Sequence, residues 1–199
     1  MKKLLILAFV FVLCLALAAC DPEGDPSATT AVTTTTAAPE EVLEEISEPE
    51  NFDNVTIKMV GTVDDDAFDY DILFADGNCL MIEGGSDYTE FFEGEESTMV
   101  RAMFLDVALA LLAEGEHFTL TNEGYRCDDA VTFTTEILGM DEPATITCTN
   151  SLVTLDNAGK LLCLSCNMLQ SCEDNSLNVV VSFTFTDYGT TVVEAPAAE

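Results

Sequence analysis

From Asn54 to Pro196 apolar and polar residues alternate, the period of strands that bury one face and solvate the other. Val55, Ile57 and Met59 fall on one side of a first strand, with Thr56 and Lys58 on the other. After a turn at Asp64-Asp65-Asp66 the alternation resumes in Phe68, Tyr70, Ile72 and Phe74. Ala75-Asp76-Gly77-Asn78 reads as a tight hairpin into Cys79 to Glu83. Val131, Phe133 and Ile137 repeat the pattern. Ile146 to Leu155 turns at Asp156-Asn157-Ala158-Gly159 into Lys160 to Gln170, with Leu162, Leu164, Cys166 and Met168 on one face. Val179, Val181, Phe183 and Phe185 mark a last strand. This predicts a meander of about seven or eight antiparallel strands with one apolar face.

One segment breaks the period. Ser97 or Thr98 suits a helix N-cap, Glu93, Glu95 and Glu96 suit the positive end of its dipole, and Gly115 suits a left-handed stop. Over Met99 to Ala113 the only charged residues are Arg101 and Asp106. A helix this apolar around its circumference belongs inside the molecule. The predicted fold class is therefore α+β: a strongly curved antiparallel sheet, a half-barrel, wrapped over one apolar helix at about 98–114. Residues 84–96, with Gly84-Gly85, Asp87 and Gly94, are expected to form the loop entering that helix.

The first twenty residues read as an export signal. Lys2-Lys3 precede an apolar run from Leu4 to about Ala16, too short for the roughly 20 residues of a membrane span. Leu17-Ala18-Ala19-Cys20 then resembles the lipobox of bacterial lipoproteins, which implies cleavage after residue 19 and acylation of Cys20. Two or more acyl chains make such attachment stable, so the expected location is the cell membrane, facing outside the cytoplasm. Residues 20–53, rich in threonine, proline and glutamate, are expected to be a disordered tether reaching about 30 Å, with a short helix over Glu41 to Ser47 as the alternative. Residues 54–196 form the domain and 197–199 a tail.

Charge narrows the choice of partners. The full chain carries −31, and cleavage leaves Lys58, Arg101, Arg126 and Lys160 against all 37 acidic residues. Nucleic acid is excluded, because its binding depends on Lys and Arg neutralising phosphates. The acidity is expected to keep a monomer soluble. Asp64-Asp65-Asp66 and Asp128-Asp129 lack the alternating spacing and central glycine of a calcium loop, so no metal or cofactor is assigned. His117, the only histidine, has no nucleophile beside it in sequence, and neither a phosphate-cradling loop nor a zinc-protease motif is present. An enzyme is not expected.

Beyond Cys20, the cysteines are Cys79, Cys127, Cys148, Cys163, Cys166 and Cys172, an even set compatible with 15 pairings. Cys163 and Cys166 have the spacing of a redox or zinc pair, but on a strand they point to opposite faces. Cys148 and Cys166 face each other only if the 156–159 hairpin has the right register. Cys127 or Cys172 bridging loops, and buried free thiols throughout, stay open beside that pairing.

The ending Val179 to Phe185, followed by Thr186-Asp187-Tyr188-Gly189-Thr190-Thr191-Val192-Val193-Glu194-Ala195-Pro196, resembles the last strand and terminal proline of the actinobacterial lipid-carrying lipoproteins and related Firmicute lipoproteins. The resemblance implies a half-barrel over helices, like that of the periplasmic Lol lipoprotein carriers, and an apolar cavity for acyl chains. This chain differs in offering one helix and no insert. The expected function is a lipid-anchored lipoprotein binding a lipid or other apolar ligand between sheet and helix. Met59, Met99, Met103, Phe104, Met168, Phe183 and Phe185 are its expected lining, since methionines and aromatics adapt to irregular guests. The alternative is an envelope interaction or structural module with a dry core, acting on another protein through an acidic outer face.

Overall fold

Ten strands pair antiparallel in one open sheet whose apolar face carries a long helix, an α+β arrangement dominated by the sheet. The computed structural model describes residues 37–84, 88–135, 143–172 and 175–195. The export signal, Cys20, tether residues 21–36, Gly85, Asp87, Ile137, Pro196 and the 197–199 tail lie outside the described residues. The strands are β1 (Val55–Val63), β2 (Asp66–Ala75), β3 (Asn78–Glu83), β4 (Thr89–Glu93), β5 (Thr119–Leu120), β6 (Tyr125–Cys127), β7 (Val131–Thr135), β8 (Ala144–Leu155), β9 (Leu161–Cys172) and β10 (Asn175–Thr186). Their order is β4-β3-β2-β1-β10-β9-β8-β6-β5, with β7 also on β8.

The alternation places β1, β2 and β10 as expected: Ile57 lies between Ile72 and Phe185, and Met59 between Tyr70 and Phe183. Three short strands escaped it. β4 occupies part of the expected 84–96 loop, and β5 and β6, of two and three residues, are too short to show a period. On β9 the buried residues are Leu161, Leu164 and Cys166, with Leu162 only half-buried. A register shift at Thr154/Leu155 breaks the simple alternation that had grouped Leu162 with Leu164. A second irregularity, between Thr149 and Leu152, is a bulge with Asn150 at φ 53°. It divides one edge of β8 between two partners, β7 along Ala144 to Cys148 and β6 along Ser151 to Val153.

Among the described residues two helices cover the apolar face: α1 (Pro39–Ile46) and α2 (Gly94–Ala113). α2 begins four residues ahead of the expected start, with Glu93 as an N-cap that makes no side-chain bond. Ser97 is buried within the helix, and Thr98 Oγ1 donates to the Gly94 carbonyl at 3.1 Å, so neither caps it. Gly115 does not end α2 in the left-handed region; it opens a short 3-10 turn, Gly115–His117. Its lack of a side chain serves packing, because a Cβ there would lie 2.8 Å from the Glu40 Cα and 3.3 Å from the Leu43 Cβ. That clearance lets α1 rest on the end of α2.

The expected tether is thus corrected over its last stretch. Residues 39–53 belong to the packed domain, as α1 followed by a 3-10 turn at Pro49–Phe52. Leu43 is 0 % and Phe52 1 % exposed, and the Phe52 ring meets Phe185 edge-on at 5.5 Å and Tyr188 at 6.2 Å. Arg101 on α2 bonds the Pro49 carbonyl and pairs with Asp53 at 2.9 Å. Two apolar anchors and one cation offset the ordering entropy of an otherwise acidic segment.

Candidate functional site

The face between sheet and helices is built from rows of side chains that cross the strands. One row runs Tyr70, Met59, Phe183, Leu164, Val153 and Tyr125, all buried. A further row runs Val63, Val179, Met168, Cys148 and Val131, separated from the first by a row of Phe68, Gly61, Val181 and Cys166. Two of the seven expected lining residues, Met59 and Phe183, therefore sit side by side, and Met168 lies two rows away. Phe183 stacks on Phe185 at 6.3 Å, but Phe185 is capped by Phe52 and is 1 % exposed. Phe185 is a core residue beneath the N-terminal segment rather than part of an accessible wall.

α2 splits the other three. Val100, Leu105, Ala108, Leu111 and Leu112 are its buried apolar positions, and Phe104 and Val107 are half-buried against the core. At 100° per residue Met99 and Met103 fall opposite Leu105 and Ala108, on the side of the helix that also holds exposed Asp106. They are corrected as lining residues of the sheet–helix face. The helix is apolar all round, so its sequence carried no signal for which side would turn inward.

Burial is uneven across this face. Where α1 and the Pro49–Phe52 turn lie, Leu43, Phe52, Leu112, Leu161 and Phe185 are sealed. Phe68, Tyr88, Phe104, Phe133, Met168 and Val179 pack against the same core yet remain half-buried. Phe68, Met168 and Val179 come from the part of the sheet near the β1–β2 turn, and Phe68 stacks on Tyr70 at 6.3 Å. Burial, helped by a 2.6 Å hydrogen bond donated to Glu90, pushes the Tyr88 phenol well above its ordinary range. Phe68, Tyr88, Phe133 and Val179 form part of the candidate surface without having been singled out. Alternation put three of them on the apolar face, but no sequence signal distinguishes a half-buried from a sealed aromatic.

A shallow hollow of about 370 Å³ lies over Val60, Gly61, Ser165, Asn167, Val180 and Ser182, toward the outer face of the sheet, and none of the seven expected lining residues borders it. Here the expected acidic outer face is corrected. β8, β9 and β10 contain no charged residue, and their outward positions include Thr147, Thr149, Ser165, Asn167 and Ser182, with Leu169 41 % and Val180 52 % exposed. The acids instead include those of α1, the turns, β4, the first turn of α2 and the outward side of β2, where Asp69 and Asp71 lie 2.7 and 3.6 Å from Lys58. Every cation at a described position has a partner within the chain: Arg126 pairs with Asp128 at 2.7 Å, and Lys160 sits 4.8 Å over the Tyr188 ring.

His117 is exposed at the end of the Gly115–His117 turn, 3.7 Å from Glu114 and 3.5 Å from Glu116. These three form the one group of metal-type donors gathered among the described residues, open to solvent on a turn rather than in a cleft. Among the described residues no helix is long and apolar enough to cross a membrane. Compared with known proteins, the chain matches no family model and no curated sequence.

Proposed function

We propose that this chain is a lipid-anchored extracytoplasmic lipoprotein, acylated at Cys20, whose domain holds a lipid or similarly apolar molecule between sheet and α2 without catalysing a reaction on it. On this reading the sheet is a half-barrel closing over α2, and the ligand lies beside Met59, Phe68, Phe104, Met168, Val179 and Phe183. The observation that carries the proposal is the half-buried apolar group of Phe68, Tyr88, Phe104, Phe133, Met168 and Val179, packed against a core whose own residues are sealed. Aromatic and methionine side chains accommodate a flexible acyl chain, and burying each CH₂ contributes about 0.8 kcal/mol. α2 touches β3 and β4 near one edge of the sheet and β7 near the other, a placement that suits a curved wall around the helix.

The lipobox Leu17-Ala18-Ala19-Cys20 supports the anchor, and the acidic exterior suits a domain held off an anionic surface. Native mass spectrometry of the purified domain, before and after organic extraction, tests the ligand. A copurifying apolar mass that extraction removes is expected. No bound mass, together with no uptake of a fluorescent fatty acid, defeats the carrier reading and leaves a dry core. Metabolic labelling with an alkyne fatty acid tests the anchor separately, with loss of label expected in Cys20→Ala.

A further inference from the structure

We propose that Cys148 and Cys166 close as a disulfide joining β8 to β9 across the Asn150–Ser151 bulge when the folding chain meets an external disulfide such as oxidised glutathione. Five cysteine side chains are described, all as thiols. Cys79 is remote from the rest, on β3 opposite Phe92. Cys163 points to the outer face, where its sulfur lies 3.5 Å from the Ser182 hydroxyl. Cys127, Cys148 and Cys166 share the inner face, but Cys127 is opposite Ser151 and its thiol donates to the Asp129 carbonyl at 3.4 Å.

Cys148 and Cys166 remain, buried on adjacent strands. Cys148 is opposite Met168, two residues along β9 from Cys166. A regular ladder would leave such a diagonal pair about 7–8 Å apart. The bulge sets residues 150 and 151 against Cys166 alone, and the two thiols hydrogen-bond each other. In the same bulge the Ser151 hydroxyl is fully buried and unpartnered among the described residues.

Before the strands pair, either cysteine can supply the thiolate, and the steps are the same whichever begins, here Cys148. Its sulfur attacks one sulfur of the external disulfide, breaking that bond and releasing one thiolate, which takes up a proton. The Cys166 thiol then loses its proton and attacks the Cys148 sulfur of the mixed disulfide, displacing the second external thiolate, which is protonated in turn. Two protein thiols are oxidised and one external disulfide is reduced to two thiols. Both sulfurs are buried in the folded chain, so the exchange precedes the final pairing of β8 with β9.

The inference rests on the extracytoplasmic reading only for where the oxidant is met. The test is therefore run first in vitro. The chain from residue 21 is refolded from the reduced, unfolded state in a mixture of reduced and oxidised glutathione, blocked by alkylation, digested with pepsin and mapped by mass spectrometry. The expected result is a 148–166 cross-link as the dominant pair, with a melting midpoint about 10 °C above the reduced form. Cys148→Ala and Cys166→Ala should each abolish that reductant-sensitive shift, while Cys127→Ala retains it. A different dominant pair, or free thiols throughout, overturns the proposal, and the wild-type map decides even where a variant fails to fold. Alkylation inside intact cells addresses location alone: a pair that closes in vitro yet stays reduced in cells counts against export and not against the disulfide.

Discussion

The two sides of α2 bury the same sheet by different means. On one side α1 and the Pro49–Phe52 turn lie against the core, Leu43 and Phe52 are sealed, and Arg101 holds the segment through Pro49 and Asp53. On the other, Phe68, Phe133, Met168 and Val179 keep part of their surface uncovered. What differs is that one side has a covering segment supplied in sequence ahead of the sheet. On the proposed reading, a guest would lie on the flank that the chain itself leaves without a covering segment.

Substitutions on the two sides should separate stability from binding. Phe52→Ala is expected to have the largest effect, costing about 3–5 kcal/mol in urea unfolding, because the ring is fully enclosed by Phe185 and Tyr188. Gly115→Val comes next, at about 1–3 kcal/mol, since its Cβ must displace the α1 backbone at Glu40. Limited proteolysis ahead of Asn54 should increase with it. Met168→Ala and Phe133→Ala, half-buried, should cost only about 1 kcal/mol each yet weaken fatty-acid uptake several-fold. Equal losses of stability for Phe52→Ala and Met168→Ala would erase the distinction between the two sides.

The smallest effect is expected at Asp106. Its carboxyl pKa is raised by desolvation, against a lowering by Arg101. The folded state then holds the proton more tightly than the unfolded chain, so stability falls as pH rises from the ordinary carboxylate range through the folded value. Asp106→Asn should remove that dependence and raise stability above it by less than about 0.5 kcal/mol, given the group's exposure and solvent screening. Chemical denaturation of the two proteins at pH 3 to 7 measures it.

Where one face of a strand is buried and the run is long, period two identified the strands and their inner residues, as for Ile57, Met59, Phe183 and Val181. Bulges defeated it at Leu162, because one extra residue exchanges the faces. Composition misled at 39–53, where many glutamates surround two residues, Leu43 and Phe52, that carry the packing. The candidate surface was legible only from the sheet side. Met59, Met168 and Phe183 follow from alternation, whereas Met99 and Met103 depended on the rotation of a helix with no polar stripe to fix it.

The three twelve-residue strands without a charged side chain also bear on the life of the chain before it folds. As a nascent polymer, residues 144–186 present long β-prone stretches with no like-charge repulsion of their own, the kind of sequence that self-associates when left exposed. In sequence the only acids between them are Asp156, Glu173 and Asp174, which separate the uncharged runs as gatekeepers do. The heavily anionic N-terminal half then acts as a built-in solubiliser, present on the chain before its aggregation-prone half has been synthesised.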